Sequence, residues 1–349
     1  MKSLDRSFLD TIQFSLSQTA SLRAIGEYRG RQELYYQQIP EVLERMRQVA
    51  VIESTESSNR MEGILAPHDR IEAMVLNNST PQNRPEQEVA GYRDALELIH
   101  ESFKYMDFTP NVTLQIHALL YRFLSEEGGR WKPSDNEITE TLPDNTKRVR
   151  FKCVTAVQTP IYMDELTKLY KERVELEAKE PLVIIPLAIL DFLCIHPFRD
   201  GNGRAARLIT TLLLYHFDYQ VARYISLERV IEESKETYYE ALYASSIGWH
   251  EGNHNVMPWL NYFWGMLIRA YKEFEERVGS IKPGKGSKTD QIISTIEKKL
   301  GPFAISDIES ECQGIGRDQI RNVIRQLRDS GKIISTGKGR SAKWIVKRS

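Results

Sequence analysis

Two apolar runs separated by a short polar break, between residues 186 and 214, constrain this chain more than any other feature. Pro186-Leu187-Ala188-Ile189-Leu190-Asp191-Phe192-Leu193-Cys194-Ile195 is too apolar for a surface helix and predicts a buried one. Pro197 disfavours helical geometry at His196, so that helix is expected to stop there. A second apolar helix is expected to start near Arg204 and run through Leu214. Between them, Gly201 and Gly203 permit backbone angles that set successive N–H groups on one concave side, a nest for an anion. The free N–H groups and positive dipole end of the second helix face the same loop.

The charges around the break sharpen that reading. Arg204 and Arg207 are three apart and share a helix face. Cations in a first turn oppose the helix dipole, so each calls for a bound anion or an acidic partner. His196, at the far lip, is placed to take a proton from an attacking hydroxyl. Asp200 is a candidate ligand for a divalent cation, because Mg²⁺ takes one or two protein carboxylates together with phosphate oxygens. The residues alone also allow a plain alternative: a tight helix–helix turn with a solvated Asp and two surface arginines.

The whole string, His196-Pro197-Phe198-Arg199-Asp200-Gly201-Asn202-Gly203-Arg204-Ala205-Ala206-Arg207, resembles the Fic family signature His-x-Phe-x-(Asp/Glu)-Gly-Asn-Gly-Arg-x-x-Arg at every defined position. Gly129-Arg130-Trp131-Lys132 and residues 149–160 resemble that family's Gly-Arg turn and β-hairpin flap. Tyr238-Tyr239-Glu240-Ala241-Leu242 resembles its nucleotide-side helix. The resemblance implies a Fic-type helical bundle and transfer of AMP from ATP to a Tyr, Thr or Ser hydroxyl of a target protein, or of the enzyme itself. In its terms His196 is the general base and Asp200 holds Mg²⁺. Gly201, Asn202 and Gly203 cradle phosphate oxygens, Arg204 supports the β-phosphate, and Arg207 takes the γ-phosphate. Phe198 anchors the loop in the core, Tyr238 and Tyr239 are candidates for the adenine or ribose, and Lys132 with the flap aligns the target's main chain.

Ser58-Asn59-Arg60-Met61-Glu62-Gly63 resembles the family's inhibitory motif, (Ser/Thr)-x-x-x-Glu-(Gly/Asn). Ser58 and Glu62, four apart, share a helix face, and Gly63 suits a helix C-terminus. The resemblance implies that Glu62 pairs with Arg207 and occupies the γ-phosphate position, in the subgroup whose inhibitory helix precedes the catalytic motif.

Residues 1–110 read as an N-terminal helical region carrying this motif, with a helix from Pro40 leading into it. Residues 111–280 read as the catalytic core, with a helix over Thr113–Leu124 and a short hairpin between residues 133 and 160. Gly279–Lys288 reads as a linker. Residues 287–349 carry 13 Lys/Arg against 7 Asp/Glu, a formal +6, within a chain whose net charge is −1. Helices are expected at Gln291–Leu300, Ser306–Glu311 and Arg317–Asp329, then strands at Ile333–Thr336 and Lys343–Val346. That order resembles a winged helix-turn-helix domain. Its outward Arg317, Arg321, Arg325 and Arg328, with Lys338 and Arg340 at the wing, offer contacts to DNA phosphates or to a protein partner.

Three widely spaced cysteines give no disulfide framework or zinc spacing. No apolar run reaches membrane-spanning length and no apolar signal region opens the chain, so a cytoplasmic protein with no membrane partner is expected. The sequence is compatible with an oligomer. Two competing classes remain. One is a DNA-binding regulator that uses the nucleotide pocket as a sensor. The other is a zinc peptidase through His250-Glu251-Gly252-Asn253-His254, which would need both imidazoles on one helix face. Gly252 and Asn253 inside such a helix cost about 1.5 kcal/mol together, so a loop is expected there. His117 and His216 are expected to be structural.

Overall fold

The computed structural model describes residues 2–36, 40–141, 146–177, 180–280, 287–297, 299, 301–312, 314–336 and 343–347. Met1–Glu276 and Arg277–Ser349 are two compact units.

The first unit is helical apart from one hairpin among its described residues. Its helices begin with α1 (Arg6–Leu9), α2 (Leu16–Tyr36), α3 (Pro40–Met61), α4 (His68–Asn77), α5 (Arg84–Ser102) and α6 (Pro110–Leu120). The antiparallel strands β1 (Glu137–Thr141) and β2 (Lys147–Lys152) follow. Then come α7 (Thr159–Lys171), α8 (Pro181–Ile195), α9 (Asn202–His216), α10 (Leu227–Glu232), α11 (Lys235–Ser246) and α12 (Met257–Ser280), of which the residues up to Glu276 belong to this unit.

The two apolar runs are α8 and α9, and they form the centre. In α8, Leu182–Leu190 and Phe192 are all buried; in α9, Ala205–Leu214 are. Helix α8 starts earlier than the apolar count suggested, at Pro181. The Glu180 carboxylate accepts from Leu182 N–H, and the proline sits where its missing N–H costs nothing. Pro186 is tolerated inside the helix for a visible reason. Its missing N–H leaves the Leu182 carbonyl without its helical donor, and Trp264 Nε1 of α12 donates to that carbonyl at 2.8 Å. Helices α5, α6, α7 and α11 pack around this pair. The approach of α5 to the end of α6 requires a glycine, since a Cβ at Gly91 would meet the Leu120 carbonyl oxygen at 2.4 Å.

Several boundaries differ from expectation. The helix expected over Thr113–Leu124 ends at Leu120, because Tyr121, Arg122 and Leu124 N–H groups bond three residues back. Helix α9 starts at Asn202 with Gly201 as its N-cap, so both arginines stand in its first two turns.

The second unit follows the expected order: α13 (Ser287–Glu297), α14 (Ile305–Glu311), α15 (Arg317–Asp329), then the antiparallel pair β3 (Ile333–Thr336) and β4 (Lys343–Val346). Ile320, Val323, Ile324 and Leu327 of α15 pack with Ile292, Ile308 and Phe303. The opposite face of α15 exposes Arg317, Arg321, Arg325 and Arg328. Three of these meet acidic neighbours: Arg317 meets Glu309, Arg321 meets Asp318 and Arg328 meets Asp329. Lys338 and Arg340 lie outside the described residues, as does most of the expected linker. No helix among the described residues is long and apolar enough to cross a membrane.

Candidate active site

The loop from His196 to Gly203 joins α8 to α9, and its shape follows from Pro197 and the glycines. His196 ends α8 with φ 51° and ψ 62°, a left-handed conformation that a non-glycine residue adopts at some cost. Gly201 adopts φ +77°. The loop is closed from within by the Asn202 amide, which accepts from Phe198 N–H and donates to the Phe198 carbonyl, both at 2.9 Å. Asn202 therefore gives the concave side only its backbone. Phe198 is fully buried, as expected of an anchor.

Neighbours on two sides fix the loop. Lys132 N–H donates to the Pro197 carbonyl, and the Lys132 ammonium donates to the Ile195 carbonyl at 2.9 Å. Lys132 is 3 % exposed, so it caps the end of α8 and has no reach to a target's main chain, contrary to expectation. Asn136 donates to the Phe198 carbonyl. On the other side His117 stacks flat on Phe198, with ring centroids 3.7 Å apart, and its Nε2 donates to the Asp200 carbonyl at 3.0 Å. One turn on, the Tyr121 hydroxyl donates to Asp200 Oδ2 at 3.0 Å. Burial pushes His117 down to about 4, so it stays neutral.

His196 is the reactive group the loop presents. Its Nδ1 lies 3.3 Å from the Leu193 carbonyl. A carbonyl only accepts, so Nδ1 carries the hydrogen and Nε2 keeps its lone pair. Burial, with Lys132 nearby, pushes the imidazole down to about 4, against the Leu193 bond and the Glu62 and Asp200 carboxylates. It is neutral, in the base form, across the physiological range.

Asp200 remains largely exposed at its side chain. Burial raises its pKa, but the Gly201 N–H, Arg204 and Tyr121 outweigh that and hold it below the usual carboxylate range. Among the described residues no group of three or more His, Cys, Asp or Glu side chains is arranged to hold a metal ion by itself.

Each arginine has found an acid. Arg204, expected at a β-phosphate, is 1 % exposed and pairs at 2.8 Å with Glu88 of α5, a partner the sequence did not announce. Removing Glu88 takes the closest acid from a buried guanidinium and leaves it Asn59 Oδ1 at 3.5 Å and Asp200 Oδ2 at 3.7 Å. We expect Glu88→Ala to cost about 3–5 kcal/mol in urea unfolding; a loss under 1 kcal/mol would show that Arg204 is satisfied otherwise.

Arg207, 3 % exposed, meets the end of α3. Its Nε donates to Ser58 Oγ and one terminal nitrogen to the Ser58 carbonyl, each at 2.8 Å. The same nitrogen pairs with Glu62 Oε1 at 2.8 Å. Burial disfavours its charge, but Glu62 more than restores it, so its pKa stands above the ordinary arginine value. Gly63, at φ +80°, ends the helix: Gly63 N–H returns to the Arg60 carbonyl and Ile64 N–H to that of Asn59. The Glu62 carboxylate lies directly over Gly203, where a Cβ would meet its Oε1 at 2.2 Å. Beyond the reach of sequence reasoning, α3 is clipped to the α10–α11 region. Arg60 pairs with Glu232, Glu53 with Arg229, and Lys235 donates to the Met61 carbonyl.

One cavity collects His196, Gly203, Arg207, Glu62, Tyr238 and Tyr239. Tyr238 is buried against Trp259 and Tyr262, so packing accounts for its ring while its position still borders the cavity.

Residues 107–214, which contain this loop, α8 and α9 as far as Leu214, match the Fic/DOC family model. That stretch resembles a Fic domain. A stretch of 137 residues is 24 % identical to protein adenylyltransferase fic-1 of Caenorhabditis elegans, covering 38 % of this chain and 23 % of that protein. The chain thus matches about a quarter of that relative's length. A Fic family protein of Desulfovibrio desulfuricans superposes with a TM-score of 0.63 at 21 % identity, over 97 % of this chain and 98 % of the other. A Fic domain containing signaling protein of Bacteroides thetaiotaomicron gives 0.60 at 21 % identity, over 74 % and 99 %. C. elegans Fic-1 (residues 134–508) gives 0.60 at 18 % identity, over 76 % and 74 %. These likenesses show the fold.

The zinc-peptidase reading fails on geometry. Residues 248–256 form turns rather than a helix, with Gly248 and Gly252 at positive φ. His250 Nε2 donates to the Lys152 carbonyl and its ring stacks on Phe151. His254 bonds to Ser3 and stacks on Phe8. The two imidazoles serve different neighbours. His216 holds the Phe103 carbonyl, a structural role as expected.

Proposed function

We infer that this chain transfers AMP from ATP to a hydroxyl of a protein, the target or itself, and that α3 restrains the reaction. The carrying observation is that the His196 imidazole, with Nε2 unprotonated, borders the same cavity as Gly203 and Arg207. His196 Nε2 takes the proton of the acceptor hydroxyl as its oxygen bonds to the α-phosphorus. The bond from that phosphorus to the β-phosphate oxygen breaks, and pyrophosphate leaves. The residues supply orientation and charge balance, the main demands of phosphoryl chemistry. Backbone N–H groups at the start of α9 hold phosphate oxygens, and Arg207 takes the terminal phosphate once Glu62 withdraws. Arg204, buried behind the loop, adds positive potential there. Tyr238 and Tyr239 border the nucleoside side. The family match and the adenylyltransferase relative support this reading.

The single exposed carboxylate of Asp200 fits an Mg²⁺ ion that arrives with the nucleotide, since such ions keep several waters and take most other ligands from phosphates. Asp200 would hold it, and it would neutralise the leaving pyrophosphate. The test of the reading is incubation with α-labelled ATP, Mg²⁺ and a cell lysate. Label is expected on protein and absent with Asp200→Ala.

The pH dependence follows from His196. It works unprotonated, so the rate is flat from about pH 8 to 6 and falls only as pH drops toward about 4, where the imidazole takes a proton. A profile halving near the ordinary histidine value would contradict the burial assigned to it.

The exposed arginine face of α15 favours a second, separate activity, DNA binding by residues 287–349. Filter binding across a salt series tests it, with affinity expected at low salt and lost as salt rises.

A further inference from the structure

Side-chain alternation along β2 breaks at one residue. Glu137 pairs with Lys152 and Ile138 with Phe151, but Thr139 pairs with Val149, so Arg150 is the extra residue of a β-bulge. Neighbours in a regular strand point to opposite faces. Here the bulge turns both Arg150 and Phe151 to the cavity that holds His196 and Arg207. Bulges beside binding sites re-aim side chains in this way.

The guanidinium so aimed lies over Tyr243 of α11, its central carbon 4.1 Å from the ring centroid. Tyr243 also borders the cavity. It follows Tyr239 by four residues, hence about 6 Å along α11. Tyr238 and Tyr239 feel the charges of Arg207 and Glu62. Arg150, on the flap strand and over Tyr243, thus lines the same cavity as Arg207. Its Nε is buried and makes no hydrogen bond; the carboxylate nearest it, Glu140 Oε2, stands 3.5 Å away and makes none either. A flat cation held on a ring by charge, with a donor unused, is suited to an acceptor brought by a ligand.

We propose that Arg150 reads the base of the bound nucleotide, donating to the ring acceptors of a purine edge while Tyr243 keeps the guanidinium flat. This rests on the nucleotide reading of the site and adds the residue that distinguishes a purine nucleotide from a bare polyphosphate. Glu140, on the paired strand, holds the guanidinium's charge in place.

The experiment is calorimetric titration of the Glu62→Gly protein, with and without Arg150→Ala, against ATP, CTP and inorganic tripolyphosphate. Arg150→Ala is expected to weaken ATP about tenfold, the worth of about one hydrogen bond from a charged donor to the base. It should narrow the difference between ATP and CTP and leave tripolyphosphate unchanged. Arg150→Lys keeps the charge but loses the flat fork and should recover little of the ATP affinity. Unchanged ATP affinity overturns the proposal. So does equal weakening of ATP and tripolyphosphate, which marks a phosphate role or a collapsed flap, and so does full recovery by lysine. If the Glu62→Gly protein itself binds no ATP, the nucleotide reading fails first and takes this one with it.

Discussion

His196→Ala is expected to lower label transfer by about 10²–10⁴-fold, the worth of a positioned general base, while ATP binding changes little. The split between rate and affinity is the informative part. His196 contributes no charge to the phosphates, because burial keeps it neutral, so removing it leaves Arg207 and the helix N-terminus to bind the nucleotide. The left-handed backbone at residue 196 is set by Pro197 and by Lys132 on the Ile195 carbonyl. Neither depends on the imidazole, so the loop should keep its shape. A variant that loses ATP affinity as fully as rate would place His196 in binding and not in proton transfer.

Glu62→Gly is expected to raise transfer by about 10- to 100-fold. One charge-assisted hydrogen bond to a buried guanidinium is worth about 1.5–3 kcal/mol, and that is what a nucleotide's terminal phosphate has to displace. The carboxylate also stands over Gly203, in the space a phosphate oxygen needs to reach the N-terminus of α9. Removing the side chain frees the cation and the space together. Ser58 still supplies Arg207 with two acceptors, so the guanidinium is not stranded and the fold should hold. Glu62→Gln separates the two contributions: it relieves the charge pair but leaves the space filled, and its gain should be smaller.

What could be read from the residues, and what could not, divides along a physical line. Local rules wrote the two buried helices, the stop at His196, the left-handed Gly63 and the order of elements after residue 287, because Pro, Gly and apolar spacing act over a few residues. The Ser58, Glu62 and Arg207 cluster was legible only through a motif, since 145 residues separate Glu62 from Arg207. Glu88 had no signal at all. It is one acid among many on an amphipathic helix, and only the packing of α5 on α9 gives it Arg204. His117 and Tyr121 were discoverable in part: they stand four apart on one face of a helix end, but their shared task at Asp200 emerges only when α6 meets the loop. Lys132 was misplaced because a lysine beside a flap suggests an open surface, whereas its ammonium is spent on a helix C-terminus. The bulge at Arg150 has no sequence mark, because register is a property of the pair of strands.

The most direct test uses Glu62→Gly protein with ATP labelled in turn at the α- and γ-phosphate, in Mg²⁺, followed by acid precipitation of protein. Label from the α-phosphate alone is expected to remain on protein, with pyrophosphate released, and to vanish when His196→Ala is added. Retained γ-label, or no label from either position while ATP binds, would contradict AMP transfer at this site.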